Sequence, residues 1–386
     1  MIYLSIIFGV AVVLLTFSFF VYPLCLVIIR AVFFKKRKDS KFDSLPKVMF
    51  VFPCCWEGQR IRAKIENTLL LDYPRDKMDV VAISDAASPE TISILEEAEK
   101  KGGMRIIRNS IRSGKSAALA KALDQCDAEV FVVTDADALL EPSHLKKLVM
   151  PFSDSRVGAV TGTIRYENEA QSGISNNEGL YWKFEMVTRK AESLIGMLTG
   201  VVGAVYAIRP ELFKITDPRL DADFLAPLLA LEKKKIVLFL DHIVAKDYSP
   251  SSSEALFARR LRTISLGLLS LFKNSRFLNP FRFPMLSWEL WSHKILRWLL
   301  PVFMLLIFVS NAFMINISVF WFILFCVQVL FYLMGIIGCI IAKFNKKAGI
   351  LSSIWYFILS SYASMVAFVN VFTGRDFSVW GDTARR

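Results

Sequence analysis

"AEVFVVTDAD", residues 128–137, is a run of branched and aromatic residues that stops abruptly in acid. A short continuous apolar run of this kind reads as a strand buried on both faces. Asp135 and Asp137 follow it directly. In an extended segment alternate side chains share a side, so both carboxylates point the same way. Two such groups repel unless a cation lies between them. Mg²⁺ is commonly held by one or two carboxylates plus substrate phosphates. The same two acids would also suit a solvated turn; their place after a buried strand is what points to a ligand.

Working outward, the pattern repeats. "KVMFVFP" (47–53), "DVVAIS" (79–84) and "MRIIR" (104–108) are further strands. Between them, "EGQRIRAKIENTLLL" (57–71), "PETISILEEAEKK" (89–101, stopped by two glycines) and "KSAALAKALDQC" (115–126) have helical spacing, as does "EPSHLKKLVMPF" (141–152) after the acidic strand. Strands alternating with helices predict an α/β domain with a mostly parallel sheet covered on both faces. Ligands in such sheets sit at the carboxyl ends of the strands. Those ends are Pro53–Glu57, Ser84–Asp85, Asn109–Lys115 and Asp135–Asp137.

"NSIRSGKSAALAKAL" (109–123) contains the Gly-Lys-Ser of a phosphate-binding loop. That loop requires a glycine five residues earlier, where this chain has Asn109. An NTPase is therefore not indicated, and Lys115 is left either as a solvated first-turn residue or as a cation for another phosphate.

The ends of the chain differ from its middle. The 386 residues are 54% hydrophobic, with a mean hydropathy of +0.44, too apolar for an ordinary soluble protein. Residues 1–34 carry one charge, Arg30, and 296–342 and 348–374 carry almost none. A span needs roughly 20 apolar residues. Residues 1–34 read as an anchor rather than a cleaved leader, since no basic start or cleavage site frames them. Residues 296–374 allow about three helices, with a break near "SNAFMIN" (310–316). The basic "KKRK" (35–38) and "KFNKK" (343–347) place the middle domain, 40–275, in the cytoplasm of a multi-pass cell-membrane protein. Residues 276–295 read as an interfacial amphipathic segment and 375–386 as a tail. The net charge of +12 lies largely beside the spans, where it suits anionic lipid; no nucleic-acid motif accompanies it. The six cysteines form no CxxC and support neither a zinc site nor a disulfide framework.

Taken together, the segments resemble the family 2 glycosyltransferases, GT-A enzymes that include cellulose, hyaluronan and exopolysaccharide synthases. The resemblance runs through "VFPCCWEGQRIRAKIENTLLLDYPRDKMDVVAISD" (51–85), "SGKSAALAKAL", "TDAD", "TGVVGAVYAIRPELF" (199–213), "LDADFLAPLLAL" (220–231), "ARRLRTISLG" (258–267), "SHKILRWLLPVF" (292–303) and "VWGDTARR" (379–386), in order. It implies a nucleotide-sugar site in which Asp85 contacts the nucleoside, Glu57 supports the base pocket and Lys115 lies near the diphosphate. It implies that Asp135 contacts ribose or phosphate and joins Asp137 in holding Mg²⁺ or Mn²⁺. Asp223 is implied as general base, with Asp221 the competing position. Arg260 and Arg262 are implied as diphosphate clamps, and Gly200 and Gly203 as places where backbone approaches donor or acceptor. Two positions depart from the family: Trp56 replaces its usual Asn, and Thr263 stands where processive synthases carry Trp.

The expectation is an inverting, metal-dependent transferase that moves a sugar, UDP-linked by preference, to a polysaccharide or lipid-linked acceptor. A single-transfer enzyme acting on a polyprenyl-phosphate or lipid-linked acceptor and a non-catalytic membrane scaffold are the alternatives. The bilayer and subunits of a polysaccharide export system are the implied partners. "YENEAQSGISNNEG" (166–179) reads as a flexible loop beside the site, placed to serve as a lid.

Overall fold

The computed structural model describes residues 2–33, 44–168, 172–250, 252–344 and 348–375. The basic run 35–38, part of the loop 343–347 and the motif 379–386 lie outside the described residues.

The chain opens with α1 (Ile2–Thr16) and α2 (Tyr22–Phe33), joined without interruption by one wide π-turn at Phe17–Val21. Ile2–Val32 is long and apolar enough to cross a membrane. The strands that follow are β1 (Val48–Cys54), β2 (Met78–Asp85), β3 (Arg105–Asn109), β4 (Val130–Thr134), β5 (Leu139–Leu140), β6 (Val157–Tyr166), β7 (Val205–Ile208) and β8 (Ile236–Asp247). Between and after them lie α3 (Arg60–Leu69), α4 (Pro89–Lys101), α5 (Lys115–Leu123), α6 (His144–Val149), α7 (Gly173–Leu194), α8 (Ala222–Glu232) and α9 (Ser253–Lys273).

The strands form one sheet in the order β3-β2-β1-β4-β7-β6-β8-β5. β1 runs parallel to β2 and β4, and β2 parallel to β3. The parallel sheet read from the sequence thus covers the half that starts the chain. Beyond it the sheet is mixed: β7 is antiparallel to both β4 and β6, β8 is parallel to β6, and β5 is antiparallel to β8. An apolar run carries no mark of its direction, so "AVYAI" alone does not reveal the reversal.

Both faces of the sheet are covered, which is why β1 is buried along its whole length. Val48, Phe50 and Phe52 pack with Ile61 and Ile65 of α3 and with Ile94 and Leu95 of α4. Met49 and Val51 point the other way, onto Ala118, Leu119 and Ala122 of α5 and Ala222, Ala226 and Ala230 of α8. The small residues of α5 and α8 let those helices lie close to the sheet, so their N-termini meet at its carboxyl edge.

From Gly173 onward the expected loop at 166–179 is helix, while its residues 169–171 lie outside the described residues. Ser172 caps α7, its hydroxyl accepting from Ser175 N at 3.0 Å, and Asn177 and Glu178 are buried. Polar residues there pack inward instead of marking a loop.

The C-terminal region comprises α10 (Pro284–Glu289), a wide turn at Leu290–Ile295, α11 (Leu296–Trp298), α12 (Leu300–Ala312), α13 (Val319–Ala342) and α14 (Ile350–Phe372). Pro284–Trp298 and Leu300–Ala312 meet at a 60° bend, while α13 and α14 are each long and apolar enough to cross a membrane. A side chain at Gly335 or Gly338 of α13 would overlap α14, so these glycines let the two helices touch, as small residues do between membrane helices. α14 also runs beside α9: Phe257 lies 5.6 Å from Tyr362 and Phe272 5.8 Å from Phe372 between ring centroids.

The N-terminal helices do not form a detached anchor. Tyr22 is fully buried and donates to Glu192 of α7 at 2.7 Å. Ser18 donates to the Ser292 carbonyl at 2.7 Å. His293 meets Glu192 through Nδ1 at 2.5 Å and Glu185 through Nε2 at 3.1 Å, and Arg297 donates to Glu185 at 2.7 Å. Buried charges occur this way only when paired. The segments 1–34, 40–275 and 276–295 therefore share one polar core.

Candidate active site

The carboxyl ends of β1 to β3 meet at a small open cleft lined by Pro53, Cys54, Cys55, Asp85, Arg112 and Lys115. Asp85 ends β2 and organises the turn after β3. Its Oδ1 accepts from Ser113 N (2.9 Å), Ser113 Oγ (2.7 Å) and Asn109 Nδ2 (3.2 Å), and its Oδ2 from Gly114 N (2.7 Å). Gly114 has φ +86°, a conformation glycine reaches without a Cβ penalty. Asp85 thus sets the backbone that delivers Lys115 to the cleft. Glu57 folds back to accept from Cys55 N at 2.5 Å, so it shapes the loop after β1. At the mouth, the Arg112 guanidinium stacks 4.4 Å from the half-exposed Trp56 ring.

Lys115 is the first residue of α5. Its Nζ donates to Asp135 Oδ1 (2.8 Å), Asp223 Oδ2 (2.7 Å) and, more weakly, Gly203 O (3.4 Å). Burial opposes its charge, yet Asp135 and Asp223 hold the ammonium above the usual lysine range. Ser116, the residue a phosphate-binding loop would direct at a metal ion, donates instead to Leu220 O (2.6 Å) and accepts from Ala222 N (3.1 Å). It stitches α5 to the start of α8.

Asp135 and Asp137 occupy a turn between β4 and β5, closed by Ala138 N to Asp135 O at 3.2 Å. The extended geometry expected from alternation ends at Thr134. β5 then pairs with β8, Leu139 opposite Lys246, which brings Asp247 alongside this turn. Burial first, then Asp137, pushes the Asp247 carboxyl up to about 7. Beneath the turn lies Lys64, fully buried, donating to Thr134 Oγ1 (2.9 Å) and Ala138 O (2.6 Å). Burial lowers its ammonium to about 7 against the pull of Asp135 and Asp137. Among the described residues no three His, Cys, Asp or Glu side chains converge closely enough to hold a metal ion by themselves. The carboxylates present fit a hard divalent cation that takes its remaining ligands from a bound diphosphate and water.

The two candidate bases separate by role. Asp221 caps α8, its Oδ1 accepting from Asp223 N (3.0 Å) and Phe224 N (3.4 Å). Burial and the nearby Asp223 push its carboxyl up to about 6. Asp223, one half-turn on, points at Lys115. Gly203 lies against it, and a Cβ there would overlap Asp223 Oδ2 and come within 3.1 Å of Lys115 Nζ. Gly200 faces a different neighbourhood: its carbonyl accepts from Arg189 (2.7 Å), and a Cβ there would stand 3.4 Å from Lys294 Nζ.

Arg260 is placed away from this group. It donates to Glu178 (2.8 Å) and Tyr356 (2.5 Å) and stacks 4.4 Å from Tyr181. Its guanidinium is committed to fastening α9 to α7 and α14. Arg262, two residues along the same helix, acts on the Asp221 carboxyl. Thr263 is exposed on that helix.

Lys64 and Asp247 were not singled out from the sequence. Lys64 had a signal, since Ile61, Lys64, Ile65 and Thr68 form the buried stripe of α3, and a lysine there must find partners. Asp247 had none, because only the pairing of β5 with β8 brings it near.

This arrangement, a parallel half-sheet extended by a mixed half with carboxylates at the switch, is the GT-A fold. Residues 49–213 match the family model Glycosyl transferase family 2, and the chain carries a domain of that family. "Probable glycosyltransferase YdaM" of Bacillus subtilis is 30% identical over 143 residues, 36% of this chain and 34% of that protein. The hyaluronan synthase of Streptococcus pyogenes is 25% identical over 173 residues, 43% of this chain and 41% of that protein. The chain thus matches well under half the length of these relatives. Among solved structures, the mannosyltransferase PcManGT of Pyrobaculum calidifontis, in complex with GDP-Man and Mn²⁺, superposes with a TM-score of 0.71 at 22% identity, covering 96% of this chain and 100% of that one. That likeness extends the shared fold to the helices at both ends.

Proposed function

We propose that this protein is a membrane-embedded, inverting glycosyltransferase that moves a sugar from a nucleotide diphosphate donor to a glycan or lipid-linked acceptor. The observation that carries the reading is the Lys115 bridge between Asp135 and Asp223, which joins a donor-side carboxylate to a separate acceptor-side one. The nucleoside enters the cleft beside Asp85, and Lys115 turns to the diphosphate. Asp137, with Asp135, would hold Mg²⁺ or Mn²⁺, which would supply charge screening for the leaving diphosphate. Asp223 takes the proton of the acceptor hydroxyl as that oxygen attacks the anomeric carbon from the face opposite the diphosphate. A positioned base of this kind supplies about 10²–10⁴ in rate. UDP-sugars are the first donors to try, GDP-mannose the next, since PcManGT was solved with GDP-Man. Thr263, at the place where processive synthases carry Trp, favours single transfer as the second reading. The domain faces the cytoplasm and the protein crosses the membrane more than once, with a polysaccharide export system as its setting.

Nucleotide release by the detergent-purified protein, with UDP- and GDP-sugars and either metal, tests the reading. Metal-dependent release from one donor, lost in Asp137→Asn and Asp223→Asn, is expected. Release from none, with or without membrane lipid extract as acceptor, would sink it.

A further inference from the structure

Tyr206 lies at the centre of β7 and is fully buried. Its backbone is fixed on both sides, opposite Val133 of β4 and Thr161 of β6, and Phe213 stands edge-on to its ring at 6.3 Å. The hydroxyl is therefore presented from a rigid strand. It reaches the neighbourhood of Asp223, which after burial is the main cause holding it well above the ordinary tyrosine range. Among the described residues neither the hydroxyl nor Asp223 Oδ1, both buried, makes a geometrically complete hydrogen bond, although the two side chains are close enough to interact. Asp223 uses only Oδ2, toward Lys115. Two neighbouring buried polar groups without a complete hydrogen bond are costly, and such pairs call for a reason. The other charged groups around them are Lys115 of α5, Asp135 after β4, Asp221 of α8 and, from α9, Arg262 through its action on Asp221.

Building on the proposed base role of Asp223, we propose that Tyr206 is a positioning residue for that base, its hydroxyl donating to Asp223 Oδ1 when Lys115 leaves for the donor diphosphate. Lys115 balances Asp223 before the donor arrives. Once it swings away, the carboxylate would be buried without a donor and free to rotate. The Tyr206 hydroxyl replaces it on the opposite oxygen, leaving Oδ2 bare and aimed outward. The acceptor O–H proton then passes to Oδ2, and the electron pair it leaves forms the bond to the anomeric carbon. The pair of the anomeric carbon–phosphate oxygen bond departs with the nucleoside diphosphate. Tyr206 neither gains nor loses a proton. The role needs a hydroxyl on a rigid support, which a strand residue supplies and a loop residue does not.

The test uses the full-length protein in detergent with 3-fluorotyrosine placed at 206. Its ¹⁹F signal should shift in Lys115→Met, where the carboxylate is released to the hydroxyl, and that shift should vanish when Asp223→Asn is added. A signal indifferent to both changes overturns the inference whether or not a donor has been found. In turnover with UDP-glucose, UDP-N-acetylglucosamine or GDP-mannose and Mn²⁺, Tyr206→Phe should lower kcat about 10- to 100-fold, the range for a hydrogen bond to a charged group. Donor KM should stay within about twofold and the acidic limb of the pH–rate profile should move upward, as loss of a donor to a carboxylate requires. A Tyr206→Phe protein with unchanged kcat and profile, beside an inactive Asp223→Asn, overturns the Tyr206 role alone. Activity surviving in Asp223→Asn overturns the base role as well.

Discussion

Lys115 Nζ stands 2.7 Å from Asp223 Oδ2 and 2.8 Å from Asp135 Oδ1. One ammonium therefore neutralises two carboxylates that serve opposite halves of the proposed reaction. While it does so Asp223 Oδ2 is occupied by the ammonium. A donor diphosphate competes for the same ammonium. On the proposed reaction, activation of the acceptor would thus be tied to occupancy of the donor site.

The two aspartates of α8 should separate in experiment. Asp223→Asn is expected to lower kcat by about 10²–10⁴ in a protein that still folds, since Lys115 keeps Asp135. Asp221→Ala removes a helix cap and should cost about 1 kcal/mol of stability, while turnover by the folded protein stays within about tenfold. Parallel unfolding and nucleotide-release measurements decide this; the reverse pattern would exchange the two roles.

Gly203→Ala should disable turnover while the protein still folds. The added methyl overlaps Asp223 Oδ2 and must push the carboxylate off Lys115. A loss of about 10²-fold follows from misplacing a reacting group by about 1 Å. Nucleotide affinity, read by calorimetry, should change far less than kcat.

Lys64 gives a pH signature. Its folded value of about 7 is below the ordinary 10.5, so between these the unfolded chain binds more protons than the folded one. Stability then rises with pH across that window. The melting temperature of the wild type, measured relative to Lys64→Met, should climb from about pH 7 to about pH 10. A flat difference would show that Lys64 is not buried as a strained cation.

Residues 44–275 expressed alone should not give a stable soluble domain. Excision removes Tyr22, His293 and Arg297 and leaves Glu185 and Glu192 without the partners they hold at 2.5–3.1 Å. Losing one partner of a buried pair costs about 3–5 kcal/mol. Gel filtration and thermal unfolding of the excised piece check this, and a monodisperse, cooperatively melting product would contradict it.

The first half of the sheet was legible because each strand was a continuous apolar run with a helix behind it. The positions after those strands, Asp85, Lys115 and Asp135, were legible for the same reason: strand ends are where such sheets bind. What was hidden depends on pairing between distant segments. The reversal of β7, the approach of Asp247 and the diversion of Arg260 to Glu178 and Tyr356 are all set by elements many residues away. The boundary of the domain was hidden too. Charge-free composition marks a span, but it does not reveal that one hydroxyl within that span, on Tyr22, satisfies a buried glutamate of the domain.

The Glu178–Arg260–Tyr356 cluster also orders the making of the protein. Arg260 follows Glu178 by 82 residues, and Tyr356 follows Arg260 by 96. At about 5–20 residues per second, a ribosome needs about 5–20 s to travel from Arg260 to Tyr356. During that interval the sheet is complete while the flank of α9 waits for α14. A nascent chain therefore lacks this contact when its sheet has emerged and completes it only once α14 has been made.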